Sequence, residues 1–142
     1  VRSSFERPDY IRFPLRQLRE GNLYPIFADQ QLTITFIDEL AKALSVIINK
    51  NLTNDTFNVC SSNVGTAIDI IKEAFEKLGA DADQIKPGSL VEYLSKQKNP
   101  YRYLVKGGLD VKETEEKLGL KLSTWQEIIT QLKQQGLTPD NA

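Results

Sequence analysis

The sequence predicts an α/β protein, helix-rich with a few short strands. Two kinds of observation predict it. Short runs of β-branched and aromatic residues, YPIF at 24–27 and TFNVC at 56–60, stand apart from one another. Longer segments with apolar residues at helical spacing follow them across polar or glycine-containing turns. Three or four short strands separated by helices suit the outer part of an α/β fold and make a poor sheet by themselves.

In chain order, VRSSF at 1–5 has strand character and is broken at Arg7-Pro8-Asp9. A helix is expected from Pro14 through Glu20, ending at Gly21-Asn22, residue types that favour a helix C-terminus. From Thr35 the apolar positions Phe36, Ile37, Leu40, Ala41, Leu44, Ile47 and Ile48 follow the helical period, with Asp38 and Glu39 in the first turn where the helix dipole favours acids. Thr35 is the expected cap of that helix. Asn49 to Asp55 reads as a turn, and TFNVC as a strand buried on both faces.

SSNVGTAIDIIKEAFEKLG then places Ile68, Ile71, Ala74, Phe75 and Leu78 on one helical face, capped by Thr66 or a nearby serine and ended by Gly79. A short helix at SLVEYLSKQ follows Pro87-Gly88. YRYLV and the break Gly107-Gly108 lead into two short helices, VKETEEKLG and STWQEIITQLKQQ, which form a closing helical hairpin over 109–135. Gly136 and Pro139 are expected to end the ordered chain. No internal repeat or linker divides residues 1–142, so they read as a single unit.

Composition narrows the function. The chain has 142 residues, 40% apolar and 26% charged, with 18 basic against 19 acidic side chains. That balance removes any general attraction to nucleic acid or anionic membrane, so a charged ligand must be met locally. The longest apolar-rich run, around Leu44 to Ile48, is far too short for a membrane span, and no signal peptide is recognisable, so a cytoplasmic location is expected. Cys60 is the only cysteine and there is no histidine. A thiol nucleophile therefore lacks its commonest base, and most zinc and iron sites lack a ligand, so no metal site is expected.

Other chemistry is absent in recognisable form. Gly107-Gly108 is followed by LDVKETEE, an acidic helix start that repels phosphate. The adjacent carboxylates Asp38-Glu39 and Glu115-Glu116 point apart on helices and read as solvated faces. Tyr93 and Lys96 have the wrong spacing for a catalytic pair. The final two helices have the outline of a helix-turn-helix, but TWQEIITQLKQQ carries Glu127 and only Lys133 as a base, too little to hold phosphates. Nucleic acid is disfavoured as a partner.

Four stretches, taken together, resemble a known family. VRSSF is similar to the VxRTSW-type strand of the extended short-chain dehydrogenase/reductases, in their dTDP-4-dehydrorhamnose reductase-like branch. FADQQLTITFIDELAKAL resembles that branch's Asp-Gln, spacer, Thr, aromatic, acidic helix start and Leu-Ala. TFNVCSSNVGTAIDIIKEAF resembles its strand and small-residue turn into a helix. LDVKETEEKLGLKLSTWQEIITQL resembles its closing Leu-Asp, Leu-Gly, Trp-x-Glu hairpin. Order and spacing carry the resemblance. The chain differs where the family tends to have glycine and proline, at Leu32 and Ile34, and where it has Arg-Pro, near Tyr101-Arg102-Tyr103.

The resemblance implies the C-terminal, substrate-binding part of an NAD(P)-binding Rossmann-type enzyme that acts on a sugar nucleotide as a reductase or epimerase. The dinucleotide fingerprint and the Tyr-x-x-x-Lys pair belong upstream of the VRSSF-like strand, so no catalytic residue is expected here. NAD(P) would be bound mainly by that upstream half, and no cofactor is expected on this chain alone. The implied partners are a nucleotide-sugar, the upstream half or a partner chain, and further copies of the protein. The substrate-binding residues implied are Arg2, Asp29, Gln30, Thr35 and Arg102, the last because a guanidinium fork suits paired phosphate oxygens. The competing reading is a non-enzymatic interaction or regulatory module with a helix-turn-helix-like tail.

Overall fold

The computed structural model describes residues 9–142. The strand expected at VRSSF, and Arg2 within it, lie outside the described residues.

Helix α1 spans Arg12–Arg19. It begins before Pro14 because the Asp9 carboxylate accepts from the N–H groups of Ile11 and Arg12 at 3.0 and 2.8 Å. Pro14 then falls in the first turn, where its missing N–H is not needed within the helix. Gly21, at φ +72°, reverses the chain as expected, with Asn22 N–H donating to Gln17 C=O. The C-terminus returns to this helix. Arg19 Nη1 donates to the Asp140 carbonyl at 2.7 Å, and Thr138 and Asn141 cap the short 3₁₀ turn Pro139–Asn141. Order therefore continues beyond Gly136 and Pro139, where the sequence suggested it would stop, because the polar tail finds backbone partners.

The strands are very short and form two separate pairs. Strand β1 (Ile26–Phe27) runs parallel to β4 (Pro87–Gly88), and β2 (Gln31–Leu32) runs antiparallel to β3 (Gly65–Thr66). The mixture of helix with few strands agrees with an α/β class. TFNVC is not a strand. No neighbouring strand lies beside it among the described residues, and side chains take the place of a ladder: Asn58 N–H donates to Thr114 Oγ1 and Thr35 Oγ1 donates to Val59 C=O.

Helix α3 (Ala67–Leu78) is the centre of the core. Thr66 caps it by accepting from Asp69 N–H, and Gly79 ends it at φ +85°. Ile70, Ile71, Ala74 and Phe75 are wholly buried against Leu15, Ile26, Ile34 and Phe36 and against Trp125, Ile128 and Ile129 of α6 (Trp125–Gln134). Burying an aliphatic or aromatic side chain of this size is worth about 1.5–3 kcal/mol. Helix α5 (Lys112–Leu118) leans on the other long helix, α2 (Ile37–Asn49), while α6 lies on α3. The two closing helices thus occur where expected, but their main packing partners are earlier helices. A smaller apolar cluster joins Cys60, Val111 and Leu122.

Helix α2 departs from expectation at its start and along its apolar face. Its N-cap is Phe36, with no side-chain cap, so Thr35 does not perform that role. Glu39 is not solvated: it is 7% exposed, and its Oε1 accepts from Ser123 N–H at 2.9 Å. Along its apolar stripe Phe36 is buried and Ile37, Leu40 and Ile47 are half-buried, but Leu44 is 49% and Ile48 73% exposed.

Candidate functional site

Of the five residues implied by the resemblance, Arg2 and the Arg102 side chain lie outside what is described, and Asp29, Gln30 and Thr35 stand in different surroundings. Asp29 follows β1 and points at the start of α4 (Leu90–Ser95). Its Oδ1 accepts from Leu90 N–H at 2.6 Å, and its Oδ2 from Ser89 Oγ at 2.7 Å and Val91 N–H at 3.2 Å. Burial acts to raise this carboxyl's pKa, but the hydrogen bonds from Leu90, Ser89 and Val91 outweigh it and hold the pKa below the ordinary value. Asp29 therefore fastens α4 to the loop after β1. Gln30 contributes its carbonyl to Ala67 N–H, tying the same loop to the first residue of α3.

Arg102 ends the 3₁₀ turn Pro100–Arg102, which packs against α4; its side chain is outside what is described. The turn brings Tyr103 beside Tyr93 of α4, ring centroids 6.4 Å apart, and Tyr93 stands 5.6 Å from Phe27. On the neighbouring surface Phe13 and Tyr24 are 5.8 Å apart. Burial, followed by the proximity of Tyr103, raises the Tyr24 phenol above its ordinary value, and burial with nearby Tyr24 does the same for Tyr10. These tyrosines are neutral at physiological pH. With Phe13, Phe27, Tyr93 and Tyr103, Tyr10 and Tyr24 form a half-exposed aromatic strip suited to stacking a flat ring, which the sequence does not reveal because its members come from four distant stretches.

Thr35 belongs to a different place. It borders a cavity of about 810 Å³ between the start of α1, the segment Leu32 to Ile37, and the end of α6. Ile34, Phe36, Ile128 and Leu137 make an apolar floor, while Arg12, Thr33, Thr35 and Asn141 are among the polar groups on the wall. Arg12 and Asp9 approach to 3.7 Å. The only polar signals for this cavity in the sequence were the two threonines, and Arg12 was missed because nothing local marks it. A cavity of this size with few polar groups accommodates a small molecule. Among the described residues no group of three or more cysteine, aspartate or glutamate side chains is placed to hold a metal ion.

Helices α2 to α6 carry acids in their first turns, Asp38 and Glu39 on α2, Asp69 on α3, Glu92 on α4, Glu113 and Glu115 on α5 and Glu127 on α6, which disfavours a pyrophosphate there. Helix α1 has none, but Asp9 already accepts from its first N–H groups. On α6, Trp125, Ile128 and Ile129 are buried against α3. Among the described residues no helix is long and apolar enough to cross a membrane.

No family model and no curated protein matches the sequence. Among solved structures, the chain is similar to the crystal structure of a dTDP-4-dehydrorhamnose reductase from Yersinia enterocolitica. The TM-score is 0.70 at 18% identity, over 92% of this chain and 44% of that one. What the two share is a fold: this chain is similar in structure to part of a dTDP-4-dehydrorhamnose reductase, and spans less than half of that enzyme's length.

Proposed function

We propose that this chain is the substrate-binding part of an NAD(P)-dependent sugar-nucleotide reductase or epimerase, with catalysis and dinucleotide binding supplied by residues upstream or on a partner chain. The observation that carries this reading is the structural likeness to a dTDP-4-dehydrorhamnose reductase over nearly the whole chain. One further feature supports it. The aromatic strip of Phe27, Tyr93 and Tyr103 adjoins the turn that carries Arg102, which suits a nucleobase beside a diphosphate.

In this reading Arg102 and Arg2 meet phosphate or sugar. Asp29 and Gln30 hold the loop that frames the cleft, while Thr35 borders the separate cavity between α1 and α6. The chain's own residues bind and orient, and none of them moves a proton or hydride. The test is thermal unfolding with dTDP-glucose and with free dTDP. A saturable rise in melting temperature with the nucleotide-sugar, lost in Arg102→Ala, is expected; no rise at millimolar ligand counts against the reading.

A further inference from the structure

On the face formed where β3 meets the starts of α3 and α6 lies a second pocket, of about 390 Å³. Its distinctive group is the indole of Trp125, the sole tryptophan of the chain. The residue is 8% exposed, yet its Nε1–H has no acceptor among the described residues. Gly65 lies against this nitrogen so closely that a Cβ there would stand 2.7 Å from it. The nitrogen is not sealed from solvent, so the donor opens onto the pocket, where water or a ligand group accepts from it.

The surrounding groups define the acceptor. Asn63 is already committed: its Oδ1 accepts from the backbone N–H of Trp125, and its Nδ2 donates to Gln126 Oε1 at 3.0 Å. This orientation leaves the Gln126 Nε2 donor without a partner among the described residues. Thr66 Oγ1 donates to Asp69 Oδ2, and the other Asp69 oxygen remains an open acceptor. No lysine or arginine lines the pocket, while Asp69 does. The two helix N-termini favour negative charge, but Asp69 and Glu127 already supply it. A phosphate would meet a carboxylate with no cation between them. A hydroxyl both donates and accepts, so a hydroxyl-rich neutral ligand satisfies the indole, the amide and the carboxylate together.

We propose that this pocket binds a neutral sugar, with the Trp125 indole N–H donating to a hydroxyl or ring oxygen and Asp69 accepting from a neighbouring hydroxyl. The inference draws nothing from the reductase reading, and a sugar without a nucleotide tests it alone. The ¹⁵N-labelled 142-residue chain gives one indole resonance. It is titrated with methyl glucoside, galactoside and mannoside, and separately with inorganic phosphate. A saturable shift of that resonance with at least one glycoside and none with phosphate is expected. Trp125→Phe keeps most of the ring and removes the donor, and it should weaken binding at least about ten-fold as read on the backbone amides of Gly65 and Thr66. Gly65→Ala should abolish the shift; if that variant does not fold, Trp125→Phe decides. An indole resonance unmoved by all three glycosides up to roughly 100 mM, far into the range of weak affinity, overturns the proposal. A response to phosphate instead, or undiminished binding by Trp125→Phe, does the same.

Discussion

Helices α3 and α2 are equally periodic in sequence and unequally used in the fold. On α3 the apolar stripe is sealed by α1, β1 and α6, whereas on α2 the stripe through Leu44 and Ile48 faces outward and the buried side is marked by Ala43 and Glu39. The difference shows that a helical period reports a surface that requires a partner, and says nothing of which element supplies it. On α3 the partner is within the chain. On α2 the described elements leave Leu44 and Ile48 exposed.

The sharpest test of this contrast is Phe75→Ala. Phe75 has no exposed surface and sits in the main core, so its truncation should lower unfolding free energy by about 3–5 kcal/mol. A denaturant titration reads this as a large fall in midpoint with little change in slope. A loss comparable to that of a surface substitution would remove α3 from the centre of the core.

Ser61 joins the approaches to the two helices. It is fully buried, accepts from Ile34 N–H at 3.2 Å just before α2, and donates to the Asn63 carbonyl at 3.0 Å just before α3. Ser61→Ala leaves both groups short of a partner and should cost about 1–3 kcal/mol by the same titration. Ser61→Thr keeps the hydroxyl but adds a methyl to a packed site, so recovery by that variant would argue for hydrogen bonding over volume.

What was legible in the sequence follows the same division. Helix α3, with Thr66 and Gly79 at its ends, was readable because cap, period and stop are local. The pairing of β1 with β4 was not, because sixty residues separate the partners and neither is long enough to show alternation. TFNVC has strand composition, but composition cannot reveal that Thr114 and Thr35 will take its backbone groups. At the candidate site, Asp29 was marked by the Asp-Gln motif, yet its commitment to three donors at Ser89, Leu90 and Val91 depends on a helix start far along the chain. Glu39 looked like a first-turn surface acid, and only the arrival of Ser123 explains its burial.

Asp29 offers a smaller, pH-dependent effect, set by hydrogen bonds where α3 is set by packing. Its folded-state pKa is depressed, so its contribution is present above the unfolded aspartate value, about 3.9, and is lost as pH falls through the folded value. The melting temperature of Asp29→Ala should therefore lie below that of the unaltered protein at pH 7, and the gap should narrow below about pH 4. A gap constant across that interval would mean that the carboxylate charge contributes nothing to fastening α4.

The smallest stability effect is expected on α2, and it is the one that tests the contrast from the other side. Replacing Leu44 or Ile48 by lysine places a charge where the side chain already meets solvent, so each change should stay within about 0.5 kcal/mol of the parent. The same substitutions should reduce binding of a hydrophobic dye, because they interrupt the open apolar stripe. Unchanged stability with reduced dye binding is the signature of an uncovered face. A loss of several kcal/mol in either variant would mean that the stripe is covered in solution, and α2 would then resemble α3 in burial as well as in period.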